Sequence, residues 1–411
     1  MNKHFIFKKI ESFQKVFKEN LQVKKLVLIL IVTVFFFTAL LILLGNIDKP
    51  KNYLDLLSQN TGEVLPLSAF ITKKGVTFDR PIDFSTDLPN NTLYILNKGG
   101  FITIIDTVEY FVVNKIYVGK SPKTILFNPN VRKIYVSTKN SGVIIIDLKD
   151  ETIKTAPVRS DIKSIALNTV DNKLYILNQV GNEMLVLDGL TDTIISRIEL
   201  GVEANNMSIL KLPYMIYVSS IKGKILKFVD GNTGEVVLSK ELGFIPTFLF
   251  PSISASNLYV AGKDPNTVAV FNVLTGKETT QVYIAASPRY SLLSKDENTL
   301  YVANSLLDEG NLSVVDTNDW STRTVVDIKG TLSSMEESLD KIFILNSMYA
   351  TVSVLDKKTD DVLDTVDLPN FYNLMYLHKE EGEGRLTLIS RLNEVIELDT
   401  STMVVVKRLG N

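Results

Sequence analysis

The sequence predicts an all-β fold, a β-propeller of four-stranded blades, preceded by a single transmembrane α-helix. Three observations carry this reading: a repeat of about 42 residues over most of the chain, four short strand-like runs within each repeat, and one uncharged apolar run near the N-terminus.

Residues 1–25 form a basic tail. Ile6, Ile10, Phe13 and Phe17 recur at i, i+4, i+7 and i+11 with lysines elsewhere, so a helix here has one apolar and one basic face. Such a helix suits an anionic lipid surface or the helix of a partner; the alternative is a basic flank that only sets topology.

Residues 26–44, LVLILIVTVFFFTALLILL, carry no charge, and only Thr33 and Thr38 have polar side chains. A helix of this length spans a hydrocarbon core of about 30 Å. The run is longer than a signal-peptide core, and no small-residue cleavage pattern follows it, so a retained membrane anchor is expected. Lys3, Lys8, Lys9, Lys15, Lys18, Lys24 and Lys25 precede it, against Lys49 and Lys51 with Asp48 and Asp55 after it. Positive charge stays inside, which predicts a single-pass protein of the cell membrane with a cytoplasmic N-terminus and the rest extracytoplasmic.

Residues 45–72 read as a linker. Its first part, 45–62, reaches about 60 Å at most when extended at about 3.3 Å per residue, so the propeller is held near the membrane surface. Within 63–71, EVLPLSAFI resembles the last strand of a repeat, with TGEVL at 61 echoing TGEVV at 233. It is expected to cap an exposed edge of the blade that closes the ring.

Residues 73–411 hold the repeats. LYIL, IYVS, LYIL, IYVS, LYVA, LYVA, IFIL and LTLI place Tyr94, Tyr135, Tyr175, Tyr217, Tyr259, Tyr301, Phe343 and Thr387 at spacings of 40 to 44 residues. These runs are apolar on both faces of the pleat, so both faces must be covered. A second run in each unit closes on Asp106, Asp147, Asp188, Asp230, Asn272, Asp316, Asp356 or Asp399, followed by turn formers. Asp and Asn bond their own backbone two residues on, so these acids are read as turn initiators, not as metal ligands or catalytic groups. Runs rich in Val, Ile, Tyr and Phe, broken by Gly, Asn, Asp or Pro, favour strands over paired helices. Four such strands per unit make a propeller blade whose second strand is sandwiched between its neighbours. Eight complete units predict eight blades, with seven as the alternative.

The sequence LYVAN followed by V-x-V-x-D-T, with the Pro-containing steps SPKT (121), IPTF (245) and SPRY (287), resembles the YVTN-type β-propeller repeat of surface-layer and related cell-envelope proteins. The resemblance runs from about residue 80 to the C-terminus; it implies a fold and leaves activity open. The first, fourth and eighth units depart most, at Gly99-Gly100, SSIKGKILKFVD (219–230) and EEGEGRLTLIS (380–390).

The chemistry of the chain is sparse. It has 411 residues, a formal net charge of −2 and no cysteine, which excludes thiol chemistry and Cys-ligated metals and gives no sign of nucleic-acid binding. Its two histidines, His4 and His378, cannot build a multi-histidine metal site. No nucleophile elbow or phosphate loop is present, and no catalytic residues, metal or cofactor are expected. A binding site is expected at the links from the last strand of one blade to the first of the next, which converge on the channel mouth: 119–124, 201–206, 243–248, 286–290 and 368–373. Lys123, Asn205, Phe244, Arg289, Tyr290, Phe371 and Tyr372 stand out there, because aromatic and arginine side chains are enriched at interfaces. Packing between blades is the competing explanation for the aromatics.

The expected function is a membrane-anchored, extracytoplasmic scaffold that binds an envelope protein or cell-wall polymer, with membrane lipid contacted through the helix and no nucleic-acid partner. A propeller enzyme, such as a lactonase or quinoprotein-like dehydrogenase, and a structural surface-layer component are the competing readings.

Overall fold

Eight antiparallel sheets follow one another along the chain, each built from four consecutive strands, as the repeat predicted. Blade 1 covers residues 81–117, blade 2 122–155, blade 3 162–199, blade 4 206–241, blade 5 245–283, blade 6 288–327, blade 7 332–367 and blade 8 372–410. The computed structural model describes residues 57, 62–72, 80–158, 162–179, 182–211, 214–306, 309–379, 384–390, 392 and 394–410. The chain divides into two units, Met1–Asp55 and Leu56–Asn411. The first unit lies outside the described residues, and with it the expected membrane helix at 26–44 and the tail residues Ile6, Ile10, Phe13 and Phe17. Among the described residues, no helix is long and apolar enough to cross a membrane.

Burial follows the strand order within each blade. The second strands are buried almost throughout, for example Lys133–Thr138 and Met215–Ser220 along their whole length. The outer strands alternate exposed and half-buried residues, as in Thr193–Glu199. The repeated aromatic of the second strand explains the difference. Tyr135, Tyr175, Tyr217, Tyr259, Tyr301 and Phe343 are fully buried, and each faces the following blade. Tyr217 donates its hydroxyl to the carbonyl of Val273, and the Tyr259 ring lies 5.9 Å from that of Trp320 in blade 6. Large aromatic rings suit such a seam because each fills it with apolar surface; the Tyr135 and Tyr301 hydroxyls are buried there with no hydrogen-bond partner among the described residues.

The acids that close the third strands act as predicted. In all eight units the side-chain oxygen accepts the backbone amide two residues on, from Asp106 with Val108 at 2.8 Å to Asp399 with Ser401 at 3.0 Å. One side chain thus starts each turn into the outer strand.

The segment before blade 1 departs from expectation. Leu65–Pro66 pairs with the outer strand of blade 2 through Leu65 and Ile153, and Ile71–Thr72 pairs with the outer strand of blade 1 through Ile71 and Ile116. The turn between them, Leu67–Phe70, buries Leu67 and Phe70. This strap therefore covers the outer edges of blades 2 and 1, not that of blade 8, which closes the ring. Each pairing is only two residues long, and the buried Leu67 and Phe70 fix where the strap lies.

Among the described residues, closure itself uses no shared strand. Blade 8 packs directly on blade 1 through Leu93, Ile95, Ile105, Tyr376, Ile389 and Val395. The Phe84 and Tyr376 rings lie 5.1 Å apart, and Asn373 Nδ2 donates to the Pro81 carbonyl at 3.3 Å.

Candidate functional site

The links between blades and the turns joining second to third strands share one face. Their backbones bond to each other, as in Val118 N to Gly100 O, Leu200 N to Asn182 O, Ile328 N to Gly310 O and Leu368 N to Ala350 O. The other face carries the remaining turns, paired in the same way, for example Gly189 N to Asn172 O. The sequence-chosen residues therefore lie on, or just beneath, the first face.

Three of them fall at one structural position. The first strand of every blade but the fourth begins with a bulge, and the bulged residues are Ile82, Lys123, Lys163, Thr247, Arg289, Ser333 and Asn373. In blade 4, Asn205 takes the corresponding place just before its strand. Bulges re-aim side chains at strand ends, so this ring position points polar groups at the rim in every blade but the first, which has Ile82 there. Lys123 Nζ donates to Ile162 O in the next blade at 2.7 Å, Arg289 Nε donates to Ser305 O at 3.1 Å, and Asn205 Oδ1 accepts the Ile221 amide at 2.8 Å. Among these, Lys123 and Arg289 are cations, and Arg289 keeps further donors for a ligand.

The aromatic candidates divide. Phe244 is buried between blades 4 and 5, its ring so close to Gly262 that a Cβ there would sit 2.1 Å from Cδ2. Tyr372 is buried too and donates its hydroxyl to Glu394, which Arg408 holds from the other side at 2.7 Å. Both rings serve packing between or within blades and are unavailable to a partner. Tyr290 and Phe371, by contrast, are exposed, Phe371 by 50%.

Sequence reasoning missed the neighbours that complete this arc. Met348 and Tyr349, in the turn of blade 7, and Leu392, in that of blade 8, are also exposed. Ser390 joins two of the group, donating to the Phe371 carbonyl at 2.8 Å and accepting the Leu392 amide at 2.9 Å. Beside Tyr349 lies a groove of about 340 Å³ lined by Asp327, Lys329, Asn346, Thr351 and Thr365, among others. Gly330, at φ +97°, shapes its rim; a Cβ there would meet the Tyr349 ring at 2.6 Å. Aromatics in these turns were legible once the repeats were aligned, because a turn residue has no folding reason to be Tyr or Phe.

Two carboxyls of the first strands are perturbed. Burial pushes Asp83 up to about 6, opposed by the amides of Ile125 and Phe84. Burial likewise pushes Glu336 up to about 7, opposed by the Leu377 amide and Lys295. Each carboxyl thus takes an amide from the next blade, which ties the inner wall together. Among the described residues, no group of three or more His, Cys, Asp or Glu side chains is arranged to hold a metal ion.

Comparison with family models gives no match, and comparison with curated proteins gives none either. Among solved structures, the chain is similar to the dihydro-heme d1 dehydrogenase NirN in complex with DHE, at 14% identity over 86% of this chain and 79% of that one, with a TM-score of 0.68. It is similar to Sqt1 of Saccharomyces cerevisiae at 9% identity over 79% and 96%, TM-score 0.68, and to BamB of Moraxella catarrhalis at 10% over 80% and 98%, TM-score 0.60. At these identities the likeness is one of fold.

Proposed function

We propose that the protein is a membrane-anchored, extracytoplasmic β-propeller of the YVTN type, a non-catalytic scaffold whose link-bearing face seats a protein of the cell envelope. The observation that carries the reading is the arc of exposed Tyr290, Met348, Tyr349, Phe371 and Leu392 across blades 6 to 8. Isolated exposed apolar residues are ordinary, but aromatic and thioether side chains exposed on three successive blades, with Arg289 on the first of them, have the composition of an interface core. The apolar run at 26–44 and the lysines before it support the anchored, outward-facing topology. The similarity to a dehydrogenase is one of fold.

The test is a photo-crosslinking residue placed at Phe371 of the full-length protein in intact cells of its host, with Val170 on the opposite face as the comparison. One saturable adduct from position 371, weakened by Tyr290→Ala and absent from position 170, supports the scaffold. No adduct, or equal labelling from both positions, overturns it.

A further inference from the structure

The other arc of the same face, across blades 1 to 3, is built from cations. Arg80, Lys98, Lys120, Lys123, Lys139 and Lys163 all fall there. The backbone brings them together: Lys98 N donates to Arg80 O at 2.9 Å and Lys139 N to Ser121 O at 3.0 Å, while Lys123 Nζ reaches Ile162 O, the residue before Lys163. Lys98, Lys120 and Lys139 are exposed, and no ion pair found among the described residues takes them up. Two acids of the described residues in these blades are already engaged. Asp83 accepts the amides of Phe84 and Ile125, both at 2.9 Å, and Glu203 stands 3.8 Å from Lys163.

This charge is segregated, because the whole chain carries a formal net charge of −2 and the turn acids Asp106, Asp147 and Asp188 lie on the opposite face. Among the described residues of this arc, no large apolar side chain is exposed. A protein partner would need an apolar centre to its contact, which is absent here and present on blades 6 to 8. Lysines are hydrated point charges on flexible stems, suited to a series of anions whose exact geometry varies.

We infer that the arc from Arg80 to Lys163 binds a linear polyanion, a polymer whose phosphate or carboxylate charges repeat along an extended chain. The inference goes beyond the protein-docking reading and shares no residue with it, so either can fail alone. Binding proceeds by release of the polymer's counterions as the ammonium groups replace them, and its strength falls steeply with salt.

The experiment uses the full-length protein in detergent, with fluorescently labelled long-chain polyphosphate and polygalacturonate as separate probes and anisotropy as the readout. At low salt at least one probe binds, and log K falls against log salt with a slope of about 0.7 per cation engaged. Replacing Lys98, Lys120 and Lys139 together by Gln weakens binding at least ~10-fold and lowers the slope by about 2. The matching triple replacement of Lys149, Lys211 and Lys358 on the opposite face leaves both unchanged. Binding of polyphosphate alone assigns a phosphate polymer; binding of polygalacturonate as well, or alone, assigns a carboxylate one. Binding of neither probe, or equal weakening by the two triple variants, overturns the inference.

Discussion

Lys123 crosses from blade 2 to blade 3 and donates its Nζ to the carbonyl of Ile162 at 2.7 Å. Asn373 repeats the step from blade 8 to blade 1, donating Nδ2 to the carbonyl of Pro81 at 3.3 Å. The same bulged position therefore ties successive blades at the inner rim, including the pair that closes the ring. Asn373→Ala is expected to cost about 1 kcal/mol, because it strips a partner from a half-buried carbonyl at the seam that closes the ring. Hydrogen exchange should show the loss concentrated in blades 1 and 8; uniform loss over all blades would contradict a local tie.

Gly262 makes room for Phe244, and that is a condition of the seam between blades 4 and 5. Gly262→Ala is expected to destabilise the propeller by about 1–3 kcal/mol through overpacking, read as a lower denaturant midpoint. Gly243→Ala, where an added Cβ meets nothing within 4 Å, should change the midpoint little.

Stability should fall as pH rises through weak acid. The Glu336 carboxyl stands at about 7 in the fold against 4.5 as its ordinary value, and Asp83 at about 6 against 3.8. In both cases the folded state holds its proton more tightly than the unfolded chain. Stability is then full at the low end of these windows and is lost between about pH 4 and pH 7. Glu336→Gln should remove part of that loss, about 1 kcal/mol, so its melting temperature at pH 8 lies about 1–2 °C above that of the parent protein. An unchanged difference between pH 5 and pH 8 would mean that the buried carboxyl does not titrate as described.

The strap protects two sheet edges. Phe70→Ala should cost about 3 kcal/mol by emptying a buried site and should loosen the pairings of Leu65–Pro66 and Ile71–Thr72 with the outer strands. Freed outer strands offer unpaired backbone, so light scattering should detect concentration-dependent self-association. A destabilised but strictly monomeric variant would separate packing from edge protection.

Much of the fold was legible because the repeat states each rule eight times. A single IYVS is ambiguous between helix and strand, but Tyr or Phe recurring at seven units fixes the buried seam, and Asp or Asn closing every third strand fixes the turn. The strap's location was not legible, since two-residue pairings depend on where Leu67 and Phe70 find cavities. Phe244 and Phe371 read alike in sequence; what separates them is Gly262, which gives Phe244 a place inside, and no such space receives Phe371. The basic arc escaped notice because a balanced total charge hides segregation between faces. Lys98 and Lys139, at matching turns of successive repeats, were its signal.

The most direct measurement exploits the absence of native cysteine. Single variants Phe371→Cys and Val170→Cys of the full-length protein are treated with a membrane-impermeant maleimide, both in intact cells and after purification. An extracytoplasmic scaffold with an occupied aromatic arc predicts that position 170 labels in both settings, while position 371 labels after purification and is protected in cells. Equal labelling of both positions in cells would contradict the occupied arc, and labelling of neither would contradict the outward-facing propeller.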